Sequence, residues 1–100
     1  MVVKHIFSFD VPAEKVAAYL KWSKEKAVPY FEAWPSVISY DVYQTIAGSP
    51  TFTKEMVYKN LAAFKDAQEF TATDPEAQRT VGEFFSFVVN VESKLIVEVA

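Results

Sequence analysis

The stretch VISYDVYQTIAGSPTFTKEMVY, Val37–Tyr58, holds two runs that alternate with period 2, Val37 to Gln44 and Phe52 to Tyr58. Between them lies Ala47-Gly48-Ser49-Pro50, a turn signal short enough to make the pair an antiparallel hairpin. In the first run Ile38, Tyr40 and Val42 fall on one side; Val37, Ser39, Asp41 and Tyr43 fall on the other. Toward the N-terminus, a helical period runs from about Pro12 to Trp34, preceded by another period-2 run from Val2 to Phe9. Toward the C-terminus the helical pattern returns after Asn60, and a last strand is expected near Ser93 to Val99.

The order is therefore strand–helix–strand–strand–helix–strand. That is the split βαβ order of a ferredoxin-like α+β sandwich with an antiparallel sheet, here one domain over residues 1–100. Two helical segments cover one face of such a sheet. Ile6, Met56, Val57, Tyr58, Leu95, Ile96 and Val97 put apolar groups on both faces, so the bare face calls for a partner. A homodimer through the sheet, with Ile6 in the interface and Lys4 near its edge, is the economical solution.

Within the elements, Val3, His5, Phe7 and Phe9 share one face of the first strand. Asp10 is placed to cap the first helix, whose inner stripe reads Val16, Leu20, Ala27, Phe31 and Trp34, flanked by Tyr19 and Tyr30. Pro29 falls inside that stripe and predicts a kink or a broken final turn. Asn60 caps a helix with Leu61, Phe64 and Gln68 inward. Asp74-Pro75-Glu76 restarts one with Ala77, Val81, Phe84 and Val88 inward. The expected helix–sheet core is Leu20, Phe31, Phe64, Val81 and Phe84.

Composition excludes several function classes. Hydrophobic residues make up 51% and aromatic residues 16%, with only two glycines, so the chain is neither disordered nor fibrous. The formal net charge of −3 and scattered cations argue against a nucleic-acid surface. No secretory core follows Met1, because Lys4-His5 breaks the apolar run, and no run is long enough for a membrane span. A cytoplasmic location is expected. Without cysteine there is no disulfide framework, and a single histidine cannot build a histidine metal cage. Glycine-rich phosphate loops and a nucleophile elbow are absent too.

His5 is the one catalytic candidate left. In a packed strand it would be a half-buried histidine bonded to backbone or a tyrosine. On the floor of an apolar pocket it would be a neutral general base or hydrogen-bond donor, because desolvation lowers its pKa. Tyr19, Trp22, Tyr30 and Phe84 carry the same two readings, core or the lining of a cavity for a flat ligand.

Three motifs carry a family resemblance. Val2-Val3-Lys4-His5-Ile6-Phe7 resembles the Val-Lys-His-aliphatic opening of stress-responsive A/B-barrel proteins, members of the dimeric α/β-barrel superfamily. Trp34-Pro35-Ser36-Val37-Ile38-Ser39-Tyr40-Asp41-Val42 resembles their Pro-Gly-Val-x-Ser-Tyr-x-Val strand. Asp74-Pro75-Glu76-Ala77, followed by Phe84-Phe85, resembles their His-Pro-x-His helix start. The resemblance implies two ferredoxin-like subunits packed sheet to sheet, each with a pocket between helices and sheet. It includes antibiotic-biosynthesis monooxygenases that work without a cofactor, and polyketide cyclases. In cyclase-type members the strand-one histidine, matched by His5, acts with a second histidine. Asp74 and Ala77 stand at both histidine places of the helix motif, so that two-histidine pattern is incomplete here.

Taken together, the leading expectation is a homodimeric barrel protein that binds a small aromatic or polyketide-like metabolite without a cofactor or metal. His5 serves as base or anchor, Tyr19 and Tyr30 as its hydrogen-bonding partners, and Phe7, Trp22 and Phe84 as walls. The competing expectation is a non-catalytic structural or interaction dimer whose pocket is filled by its own side chains. An open cavity of a few hundred Å³ reaching His5 separates the two.

Overall fold

The computed structural model describes residues 1–100. Four strands, β1 (Val3–Asp10), β2 (Val37–Gln44), β3 (Phe52–Tyr58) and β4 (Val89–Val97), form one antiparallel sheet in the order β2-β3-β1-β4. The helices are α1 (Val16–Trp22), α2 (Val28–Glu32), α3 (Leu61–Thr73) and α4 (Pro75–Phe87). This is the ferredoxin-like α+β architecture expected from the order of hydrophobic periods. The hairpin loop closes with Thr45 N–H donating to the Thr51 carbonyl at 2.8 Å. Gly48 sits in it at φ +100°, a conformation that an L side chain rarely adopts.

The first helical segment is interrupted, as Pro29 requires, but one turn earlier than the proline itself. Over Ser23–Ala27 the coil widens, and Val28 N–H reaches back five residues to the Ser23 carbonyl. Proline has no N–H for the carbonyl four residues before it and crowds the preceding turn; the wide turn absorbs both effects. The inward residues then step by four, Tyr19, Ser23, Ala27 and Phe31, all buried. Tyr19 thus takes the core place expected of Leu20, which is only partly buried.

Asp10 does not cap the helix. Its Oδ1 accepts from the Thr51 amide and hydroxyl, each at 2.9 Å, and its Oδ2 accepts from Asn90 Nδ2 at 3.1 Å. It fastens the end of β1 to the hairpin and to the start of β4. The other two expected caps stand: Asn60 accepts from Ala63 N–H and Asp74 from Ala77 N–H, both at 2.9 Å.

In β2 the pairing skips Ile38, since Val37 faces Tyr58 and Ser39 faces Val57. This bulge exchanges two expected positions. Val37 joins Tyr40 in the core, and Ile38 is left exposed. In α3 the buried residue is Ala67; Leu61 and Gln68 are exposed and Phe64 is partly buried. In α4, Ala77, Thr80 and Phe84 are buried, whereas Val81 is partly so. β4 begins at Val89, four residues before the expected start.

The helices lie on one face, over two apolar clusters. One gathers Val3, Ala27, Phe31, Trp34, Val37, Tyr40, Met56, Tyr58, Ala67 and Ala77. The other gathers Phe9, Val11, Tyr19, Phe52, Phe84 and Val88. The register puts Lys4, Ile6 and Ser8 of β1 on the opposite face with Val57, Glu55 and Thr53 of β3 and Ile96, Lys94 and Glu92 of β4. A Lys4–Glu55 ion pair of 3.5 Å lies on that uncovered face.

Candidate functional site

At the seam between the two clusters the packing leaves a cavity of about 220 Å³. β1 supplies His5 and Phe7, and β3 supplies Lys54, Met56 and Tyr58. Phe31 and Trp34 close the side of the first helical segment, with Ala67 of α3 and Phe84 of α4 opposite. Exposed Gln68 on α3 and Phe85 on α4 also line it and mark the side on which it opens. The cavity exists because the sheet's alternation sends His5, Phe7, Lys54 and Met56 toward the helices, while small Ala67 and Ala77 keep α3 and α4 close to the core around it.

The His5 imidazole is tilted against the Phe7 ring at 4.3 Å between centroids and edge-on to Phe64 at 5.4 Å. Burial lowers its pKa below 6.5, and the positive field of Lys54 lowers it further. At neutral pH it is an uncharged imidazole with one nitrogen able to accept a proton.

Lys54 is the residue that sequence reading passed over. Its side chain is buried, and Nζ lies 3.7 Å from the Phe84 ring centroid, 4.2 Å from that of Phe7 and 5.4 Å from that of Tyr40. Burial pulls its pKa down to about 7. The two ion pairs of the molecule, Lys4–Glu55 and Lys26–Glu83, leave it without a carboxylate. The signal was present in the alternation Phe52, Lys54, Met56, Tyr58, where one charged residue stands in a row of inward apolar ones.

Of the six expected site residues, His5, Phe7 and Phe84 meet at this cavity. The other three do not line it. Tyr19 is fully buried in the neighbouring cluster among Phe9, Phe52, Phe84 and Phe87, and burial pushes its phenol up to about 12. Trp22 packs against Phe87 and donates Nε1–H to Glu83 Oε1 at 3.2 Å, tying α1 to α4. Tyr30 packs on Phe31 and Trp34 beside a separate open groove that also carries Asp66, Asp74 and Glu76. Tyr19 and Tyr30 are thus set against other rings, while His5 meets the rings of Phe7 and Phe64 and feels the charge of Lys54. No three His, Cys, Asp or Glu side chains converge to hold a metal ion, and no helix is long and apolar enough to cross a membrane.

The model of one protein family, described as REDY-like protein HapK, matches residues 2–99. The chain belongs to the REDY-like HapK family. Its fold recurs in solved structures of low sequence identity. A NIPSNAP family protein from Agrobacterium tumefaciens superposes with a TM-score of 0.77 at 15% identity, covering 99% of this chain and 94% of that one. SnoaB from Streptomyces nogalater, a cofactor-independent oxygenase, gives 0.75 at 12% identity, with 97% and 92% covered. A dimeric protein of ferredoxin-like fold from Bacteroides fragilis gives 0.67 at 20% identity, with 95% and 94% covered. No curated protein matches the chain. The chain thus shares its ferredoxin-like fold with these structures, and its family is the REDY-like one.

Proposed function

We propose that this REDY-like protein binds a small, flat, largely apolar metabolite in the His5 cavity, as a homodimer and without a cofactor. The observation that carries the reading is the cavity itself, about 220 Å³ of space beside a neutral imidazole and among Phe7, Phe31, Trp34 and Phe84. An apolar cavity of about 150 Å³ already accepts benzene, so this one has room for a one- or two-ring aromatic. His5 takes a proton from an acidic O–H, N–H or C–H of that ligand, a contribution of about 10²–10⁴-fold to a reaction. The oxygenase activity named for the structurally similar SnoaB is one chemistry that a base and an apolar cavity can serve.

The dimer is supported by the uncovered sheet face with Ile6, Val57 and Ile96, and by the dimeric state of the Bacteroides fragilis neighbour. An interface of that kind buries about 2,000 Å² or more in total.

The test is titration with indole, followed through the resonances of the single histidine. Saturable shifts in the wild type, with weakened binding in a folded His5→Ala variant, are expected. Absence of any saturable shift at His5 would mean that the cavity is not a ligand site and that the protein acts as a structural dimer.

A further inference from the structure

Lys54 is the buried group that the reading above leaves unused. Its amine projects into the cavity through a layer of aromatic rings, at 3.7 Å from Phe84 and 4.2 Å from Phe7, and it shares that cavity with His5. Every carboxylate that forms an ion pair in the molecule pairs with another lysine. Buried charges in folded proteins are paired, because an isolated ammonium in a low-dielectric interior is strongly disfavoured. Ring faces attract the cation but supply no hydrogen-bond acceptor. The cavity therefore holds an ammonium donor whose acceptor the protein does not provide, a short reach from open space.

We infer that the ligand carries an acidic oxygen, a carboxylate or an ionised phenol or enol, and that this oxygen accepts a charge-assisted hydrogen bond from Lys54 Nζ. The inference rests on the reading that the His5 cavity binds a ligand, and it adds the chemical class of that ligand. The division of labour follows. Lys54 fixes the oxygen and stabilises its negative charge, and His5 lies on the same floor of the sheet to receive the proton that such an oxygen loses. The aromatic walls hold the flat body of the molecule.

Specificity would come from the same pairing. A neutral ring system fills the cavity but leaves the amine without an acceptor, whereas an anionic one satisfies it. A hydrogen bond to a charged group contributes about 1.5–3 kcal/mol, which corresponds to roughly tenfold to a hundredfold in affinity.

The experiment compares indole with indole-2-carboxylate by calorimetry, on the wild type and on Lys54→Met, with 4-nitrophenol as the probe for an ionised hydroxyl. The carboxylate is expected to bind the wild type about tenfold or more tighter than indole, and the preference is expected to vanish in Lys54→Met while indole still binds. Bound 4-nitrophenol is expected to show the absorbance of its ionised form at a pH where the free compound is mostly neutral. A second readout needs no variant: with indole-2-carboxylate bound, the titration midpoint of the Lys54 amine, followed by NMR of its ε-carbon, is expected to rise. Equal affinity for indole and its carboxylate, or a Lys54 midpoint unmoved at saturation, would overturn this inference and leave the ligand cavity standing. Binding of none of the three probes would overturn the cavity reading as well.

Discussion

Lys54 Nζ stands 3.7 Å from the centroid of the Phe84 ring, so a charged group of β3 and a core aromatic of α4 form one wall of the same cavity. Phe84 is almost fully buried and meets the rings of Phe7, Phe9, Tyr19 and Phe85. It therefore closes the second cluster and bounds the cavity at once. Phe84→Ala is expected to lower unfolding stability by about 3–5 kcal/mol in urea, the range for a buried phenylalanine whose site cannot collapse. A loss under about 1 kcal/mol would mean that the ring bounds open space and little else.

Lys54 gives stability a distinct pH dependence. Its amine titrates at about 7 in the folded chain and near 10.5 when unfolded. Between those values the unfolded state binds more protons, so stability rises with pH across that window. The slope approaches at most about 1.4 kcal/mol per pH unit. Lys54→Met is expected to be more stable than the wild type at pH 7, with the gap narrowing as pH rises toward 10. A gap independent of pH would show that the amine is not desolvated.

His5 is the only histidine, so its titration can be read without assignment. Burial first, and the Lys54 charge second, hold its folded pKa below 6.5. Below pH 6.5 the unfolded chain takes up the proton before the folded one, and stability falls as pH drops from there toward the folded pKa. The ring resonances are expected to titrate with a midpoint below 6.5. In Lys54→Met that midpoint moves up but stays under 6.5, since burial is the larger cause. A wild-type midpoint at or above 6.5 would put the imidazole in solvent.

Much of this was legible from residues alone. The alternation of β1 and β3 and the caps at Asn60 and Asp74 are local signals, and the architecture follows from them. The misses share a cause, because each depends on a contact distant in sequence or on one irregular residue. Asp10 looks like a cap until Thr51 and Asn90, 41 and 80 residues away, come within reach. Ile38 and Val37 exchange faces because β3 pairs past one residue of β2. Tyr19 displaces Leu20 because the wide turn before Pro29 shifts the helical phase, a change that a strict 3.6-residue period does not anticipate. At the site, the β1 alternation carried His5 and Phe7 into the cavity. Tyr19 and Tyr30 flank the inner stripe of one helical segment but pack against opposite clusters, and only the folded chain separates them from His5.

Asp10 is expected to act as a fastener at the far end of the sheet. Three hydrogen bonds from Thr51 and Asn90 hold its carboxyl below the usual carboxylate range. Stability from this group is present above pH 3.8 and is lost as pH falls through the lowered folded value. Asp10→Ala should destabilise the chain at neutral pH and speed hydrogen exchange at the Thr51 amide, while the Lys54 titration stays unchanged. An unaltered Thr51 exchange rate would contradict the assignment.

The proposed dimer is tested by Ile6→Glu, which places a carboxylate directly across from Glu55 of β3 and Lys94 of β4 on the uncovered sheet face. Light scattering is expected to show a dimer for the wild type and a folded monomer for the variant. A wild-type monomer at micromolar concentration would remove the sheet-to-sheet assembly.

The most direct test of the central claim, that the seam between the two core clusters is a ligand site, is an NMR titration with indole-2-carboxylate that follows the His5 ring and the Lys54 side chain together. Saturable shifts at both residues, fitting one dissociation constant, are the predicted result. Saturable shifts confined to the Tyr30 groove, or none at either residue, would contradict it.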